Sequence, residues 1–237
     1  WNLIVIQELF EETGLLIGQK ETAATSKELE ELQEKTKEDP TFFRQVCPSP
    51  PVNQLVEWNT WLTPSSYKQR YMTSFFLVDV DAHDLRANQR LKCARRRWFS
   101  IRGPIRRTAC EKEGRDEVIL PPPQVYELTR IAQTPSEQLR FCGNNVHIFC
   151  PQLIFWPHKE MISNVLPGDH LYIENDSFNQ PTRNMTAEEL RVDQDKPIHR
   201  EEYKPQPLYG MCKLYMHNLS KKYAETLHQF EPDLDKL

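Results

Sequence analysis

Apolar positions over the first fourteen residues repeat with a helical period. Leu3, Ile6, Leu9 and Phe10 fall on one side of a helix, and Glu8, Glu11 and Glu12 fall on the other. At about 100° per residue, Glu11 and Glu12 flank Glu8 by about 60° and about 40°. Ile4 and Val5 share the glutamate side one turn earlier, so the helix is expected to be embedded with only its acidic end open. Gly14 is placed to stop it, because a left-handed cap position carries no strain without a Cβ. Leu15-Leu16-Ile17 then reads as a short strand.

Residues 20–37 are polar, with Thr25-x-x-Glu28 as a capping box. Leu29 and Leu32 give this helix only a thin apolar stripe, which predicts a surface insertion. Asp39-Pro40 supplies the cap and first position of another helix carrying Phe42, Phe43 and Val46, closed by Pro48, Pro50 and Pro51. Residues 58–64 and 71–80 read as strands, the second without alternation and therefore expected to be buried on both faces. Pro121 to Pro123 lead rigidly into a helix ending at about residue 133. Pro135-Ser136 starts a short helix with Leu139 and Phe141. Residues 146–155 and Leu171-Tyr172-Ile173 are strand-like, joined through the turn Pro167-Gly168-Asp169. Residues 175–207 are polar and proline-punctuated and read as loop. Residues 211–216 form a last strand, and the tail from Ser220 is weakly helical.

At 237 residues the chain suits one large domain or two small ones, with 27% charged and 38% hydrophobic residues. No run of 18 apolar residues exists, so no membrane span is predicted. The apolar start at Leu3 to Ile6 is too short for a signal peptide. The 6 cysteines form no C-x-x-C pair and no metal spacing with histidine, which predicts reduced thiols. Charge is unevenly spread. Residues 85–115 hold eleven Lys and Arg against Glu111 and Glu113, in a chain whose net charge is −4. Such a segment could meet nucleic acid or the phosphates of a ligand. It has no interleaved aromatics beyond Trp98 and Phe99, so nucleic acid is not expected as a partner.

The candidate chemistry sits on the first helix. Like charges at i, i+3 and i+4 cost a few tenths of a kcal/mol per pair in a bare helix, roughly. A hard divalent cation reverses that sign, because Mg²⁺ takes carboxylate oxygens. A solvated acidic face is the competing explanation. No H-E-x-x-H and no G-x-S-x-G is present. Asp169 and Glu174 could serve a second acidic site, but turn and surface roles suit them better.

Glu8-x-x-Glu11-Glu12-x-Gly14-Leu15 resembles the second half of the Nudix box, the signature of Mg²⁺- or Mn²⁺-dependent hydrolases that cleave diphosphate linkages. The strings WNTWLTP (58–64), TSFFL (73–77), LPPPQVYEL (120–128) and LPGDHLYIE (166–174) resemble one branch of that family, the acyl-coenzyme A diphosphatases of the Nudix motif 19 type. The resemblance covers most of the chain. Two departures stand out. The family's Arg before the first glutamate is Gln7 here, a neutral amide without a guanidinium fork. The first half of the box, a glycine-rich loop with another Glu, is absent, so the chain is expected to be incomplete at its amino terminus. In the resembled branch the stretch at 85–115 is acidic to neutral. Its basic character here is read as non-native coding sequence, ahead of a genuine basic site.

The resemblance implies an α+β fold, a Nudix-type α/β/α sandwich with a mixed sheet, incomplete at the N-terminus, plus a helical extension. It implies a Nudix domain over residues 1–174, with the half-box at 7–15, a helical insertion at 20–51 and the basic segment at 85–115. A polar extension follows over 175–237. The implied reaction is metal-dependent cleavage of coenzyme A or acyl-CoA to adenosine 3',5'-bisphosphate and acyl-4'-phosphopantetheine, impaired in this chain. A catalytically inactive binding protein is the alternative. Glu8, Glu11 and Glu12 are the implied ligands of Mg²⁺ or Mn²⁺, with Glu8 also the candidate base. Gln7 and Gly14 shape the motif. The partner is a small molecule rather than a membrane. Asp235-Lys236-Leu237, with the branch, points to the peroxisome, with mitochondrion or cytosol as alternatives.

Overall fold

A computed structural model describes residues 2–18, 26–79, 120–134, 148–156, 160–186, 188–190 and 195–220. The chain packs as two units, residues 1–57 with 76–99 and residues 58–75 with 100–237.

In the first unit, α1 (Asn2–Thr13) follows the expected period. It buries Ile6 and Phe10, with Leu3 packed beside them. Gly14 ends it at φ 66°, its N–H bonded to the Phe10 carbonyl at 2.6 Å. α2 (Ser26–Glu38) is more than the surface insertion its two leucines suggested. Leu29 is buried against Ile6, Phe10, Leu16, Phe43 and Cys47, and Gln33 and Thr36 are buried on the same side. The amide and hydroxyl lie on the buried stripe alongside the leucines, which is why apolar spacing alone undersold it. The Asp39 carboxylate accepts from the Thr41 N–H at 2.9 Å, capping a 3-10 turn that runs into α3 (Phe43–Val46). Two further expectations fail here. Ile4 is 52% exposed, so the first turn of α1 is open on the glutamate side. Leu15, Leu16 and Ile17 are buried but form no strand, since they pair with none among the described residues.

The second unit is built on two mixed sheets. β1 (Val56–Leu62), β2 (Met72–Leu77) and β3 (Ile148–Phe149) form the first, in the order β2-β1-β3, with β1 and β3 parallel. Among the described residues β2 lies at the edge of this sheet. Met72 is 67% exposed, which corrects the expectation of burial on both faces. α4 (Pro122–Gln133) brings Tyr126 against Trp61, Phe149, Leu166 and Met216. The rings meet edge to face, with Trp61 and Tyr126 centroids 5.3 Å apart.

The second sheet holds β4 (Gln152–Trp156), β5 (Met161–Val165), β6 (Arg183–Asn184), β7 (Ile198–Lys204) and β8 (Gly210–His217), in the order β6-β4-β5-β7-β8. β4–β5, β5–β7 and β7–β8 are antiparallel, and β4–β6 is parallel. The α+β class with mixed sheets agrees with expectation. Residues 175–207 do not form one loop, because they supply β6 and β7, and the sheet draws on both sides of residue 174. β7 hid because its buried positions include His199, Arg200 and Glu201, which read as solvated in a sequence. Leu171-Tyr172-Ile173 is not a strand: Leu171 closes the preceding turn, and Tyr172 and Ile173 carry no regular structure. Its strand-like look reflects Gln152, whose side-chain amide mimics a strand neighbour: Nε2 donates to the Ile173 carbonyl at 2.7 Å and Oε1 accepts from its N–H at 2.9 Å.

Several expectations lie outside the described residues: the Thr25 cap, the basic segment 85–115, the helix at Pro135-Ser136, and the tail beyond Ser220 with its terminal Lys-Leu. Among the described residues no helix is long and apolar enough to cross a membrane.

Candidate active site

α1 sets Glu8 and Glu12 exposed on its open face and Glu11 half-buried between them and the core side. Gln7 Nε2 donates to Glu11 Oε1 at 2.7 Å. That contact spans i to i+4, one helical turn. A neutral amide therefore orients the central carboxylate of the triplet without adding charge to it. The helix end is also tied down. Thr13 Oγ1 donates to the Leu9 carbonyl at 2.5 Å, and Gln33 Nε2 donates to the Phe10 and Glu11 carbonyls at 3.0 and 3.1 Å. Gln33 escaped the sequence reading, although an amide four residues beyond Leu29 on a helix's apolar stripe was the available signal.

The donors of Glu8, Glu11 and Glu12 suit a hard divalent cation: carboxylate oxygens on an open helical face, one of them already oriented. Among the described residues no three His, Cys, Asp or Glu side chains converge as a metal site, so these carboxylates are not drawn together in advance. Long glutamate side chains can close on an ion, and Mg²⁺ keeps several of its waters and accepts few protein ligands.

The strings that distinguish the branch serve another purpose. Glu127 on α4 is buried and accepts from Trp58 Nε1, Asn59 Nδ2 and Trp61 Nε1, each at 2.6 Å, and from Arg130 Nη1 at 2.9 Å. β1 runs W-N-x-W, so its donors reach one carboxylate one turn before Arg130 on the helix. The Arg130 guanidinium also stacks on the Trp58 ring, 4.5 Å from its centroid. Asp169, of the LPGDH turn, takes Arg200 through two bonds, to Nε at 2.8 Å and Nη2 at 3.0 Å, and accepts from the His199 N–H at 2.9 Å. Gly168 supports that turn at φ 95°. His199 bridges the Tyr126 hydroxyl, 2.8 Å from Nε2, and the Pro167 carbonyl, 2.6 Å from Nδ1.

These groups are buried and bonded to one another, so they hold the second unit together rather than meet a substrate. Burial lowers the His199 pKa to about 4, keeping the ring neutral. Burial pushes Glu201 up to about 8, against a weak opposing bond from Asn164, and the nearby Glu127 charge adds to the rise. Glu201 Oε1 has no hydrogen-bond partner among the described residues. Burial likewise raises the Tyr126 hydroxyl well above its ordinary value. Asp169 is thereby a structural acid. The exposed Glu174 shows no role in the site.

The family model described as the NUDT19 Nudix domain matches residues 1–131, a span that holds α1, β1, β2 and Glu127. "Putative nudix hydrolase 7" of Caenorhabditis elegans is 34% identical over 237 residues, covering 98% of this chain and 78% of that protein. Acyl-coenzyme A diphosphatase NUDT19 of Xenopus laevis is 27% identical over 199 residues, 73% of this chain and 51% of that protein. The Homo sapiens protein of the same name is 25% identical over 226 residues, 84% of this chain and 58% of its own length. The chain thus spans a little over half of these two vertebrate relatives. No solved structure matches it.

Proposed function

Because the chain belongs to the Nudix hydrolase family, we propose that it hydrolyses the diphosphate bridge of coenzyme A and its acyl esters. Water attacks one phosphorus of the bridge, a new P–O bond forms, and the bridging P–O bond breaks. The products are adenosine 3',5'-bisphosphate and 4'-phosphopantetheine or its acyl form. The substrate class is supported by the activity in the names of the vertebrate relatives and by the strings at 58–64, 73–77, 120–128 and 166–174.

One observation carries the site assignment: the acidic face of α1, with Glu11 aimed by Gln7, inside the matched span. Glu11 and Glu12 would hold Mg²⁺ or Mn²⁺, with Glu8 completing the set. When bound, such an ion neutralises phosphate oxygens and lowers the pKa of a coordinated water. Glu8, exposed on the same face, would take the proton of the attacking water. Gln7 fixes the rotamer of Glu11. Gly14 lets the chain leave the helix at once, at a φ that costs other residues strain. A peroxisomal address through Lys236-Leu237 belongs to the same proposal.

A second reading, binding without turnover, is favoured by Gln7 itself. The amide orients Glu11 but brings none of the charge that a guanidinium would set beside the site. Incubating the chain with coenzyme A and Mn²⁺ separates the two. Chromatographic release of adenosine 3',5'-bisphosphate supports the hydrolase. Retention of intact coenzyme A on the protein without product would leave the binding reading standing.

A further inference from the structure

Glu11 is fixed at both of its ends. Its side chain takes a bond from Gln7, and its own carbonyl takes one from Gln33 on α2. The last carbonyls of a helix have no intrahelical donors, so its final turn frays unless something else binds them. In α1 that final turn carries Glu11 and Glu12. Gly14 N–H and Gln33 Nε2 together close the Phe10 carbonyl, Gln33 closes that of Glu11, and Thr13 Oγ1 closes that of Leu9. Gln33 differs from the other two in kind. Gly14 and Thr13 are local to α1, whereas Gln33 reaches from another helix, and it is buried. Leu29, one turn earlier on α2, fills the core without bonding the α1 backbone.

We infer that Gln33 is a positioning residue for the acidic face of α1: by holding the Phe10 and Glu11 carbonyls it sets the height and rotation of the turn that aims Glu11 and Glu12. The inference rests on the assignment of those carboxylates to a divalent cation. Its reasoning is geometric. A side-chain amide with two N–H groups can bridge two successive carbonyls, as it does here at 3.0 and 3.1 Å. The Cα of Glu11 then has little freedom to rotate about the helix axis, and a displacement of even ~1 Å at such a site costs on the order of 100-fold in rate.

The test uses the full chain with Gln33→Leu, which keeps size and removes the donor, Gln33→Asn, which keeps the donor on a shorter arm, and Leu29→Ala as a packing control. Hydrogen exchange of the peptide spanning residues 9–15 is read first. Gln33→Leu should speed it at least tenfold relative to Leu29→Ala compared at equal global stability, with Gln33→Asn between wild type and Gln33→Leu. Mn²⁺ binding, read from the paramagnetic resonance of the free ion, should weaken about tenfold in Gln33→Leu and stay within twofold of wild type in Leu29→Ala. If Gln33→Leu fails to fold, Gln33→Asn carries both readouts with the same sign expected. Unchanged exchange in the Gln33 variants, or equal weakening in Leu29→Ala, overturns the positioning role. Mn²⁺ binding unaltered by Glu11→Gln or Glu12→Gln instead overturns the carboxylate assignment, while the exchange result still decides whether Gln33 orders the turn.

Discussion

Glu8, Glu11 and Glu12 in the first unit and Glu127, Asp169 and Glu201 in the second are the same chemical group in opposite surroundings. The first three stand on one helical face, exposed or half-buried. The second three are out of water, and Glu127 and Asp169 each pair with a buried arginine. A carboxylate that can meet an incoming cation must keep oxygens open. One that organises a fold has its charge paired, as in Glu127 and Asp169, or is driven toward the neutral form by burial, as in Glu201, because an uncompensated buried charge is costly. The contrast gives the second unit's acids an architectural role and leaves α1 as the face on which the proposed chemistry would lie, even though the second unit holds the more perturbed titrations. Shifted pKa values mark burial there, and burial without access is a structural signature.

The largest effect on stability should come from Glu127→Gln. The amide turns a donor toward donors and leaves Arg130 buried without its counter-charge, at a cost of about 3–5 kcal/mol in urea unfolding. A loss under ~1 kcal/mol would remove Glu127 from the scaffold. Asp169→Asn should follow closely for the same reason, since Arg200 would lose its counter-charge and one of its two acceptors.

The pH profile of unfolding sharpens the contrast. His199 is neutral in the fold with a pKa of about 4, against an ordinary 6.5, so its contribution is present above 6.5 and is lost as pH falls toward 4. Glu201 runs the other way: raised from 4.5 to about 8, it contributes fully below 4.5 and loses that contribution as pH rises through 8. Between 6.5 and 8 only the second effect operates, so stability should decline there. Glu201→Gln should flatten that decline. An alkaline limb unchanged in Glu201→Gln would place its origin elsewhere.

Smaller effects belong to single bonds and open faces. Tyr126→Phe removes the hydroxyl beside His199 and should cost about 1 kcal/mol. Glu8→Gln should leave unfolding within ~0.5 kcal/mol of wild type, as for an exposed side chain with no packed neighbours to lose. A large destabilisation by Glu8→Gln would make α1 a structural acid face like the buried ones.

Periodicity made α1 legible to within a residue, because Leu3, Ile6 and Phe10 needed only one neighbouring layer to pack against. The Asp39 cap and the proline entry to α4 were equally local. Three of the misses share a cause: polar side chains standing in for backbone or apolar groups. Gln152 imitates a strand beside Ile173, His199 and Glu201 occupy core positions of β7, and Gln33 lies on the buried stripe of α2. Gln152, His199 and Gln33 are each bonded to a partner far away in sequence, and among the described residues Glu201 takes only a 3.4 Å bond from Asn164, none of which a local pattern reveals. The candidate site was named from the sequence as a set of residues, Glu8, Glu11, Glu12 and Gln7. The bond from Gln7 to Glu11 and the support from Gln33 required coordinates.

Mn²⁺-dependent release of adenosine 3',5'-bisphosphate from coenzyme A, compared across Glu11→Gln, Glu12→Gln and wild type with unfolding measured on each, tests the division of labour most directly. The account expects a loss of at least about 100-fold in rate from either substitution, with stability held within ~0.5 kcal/mol. Turnover at the wild-type rate in both variants would contradict it and move the chemistry off α1.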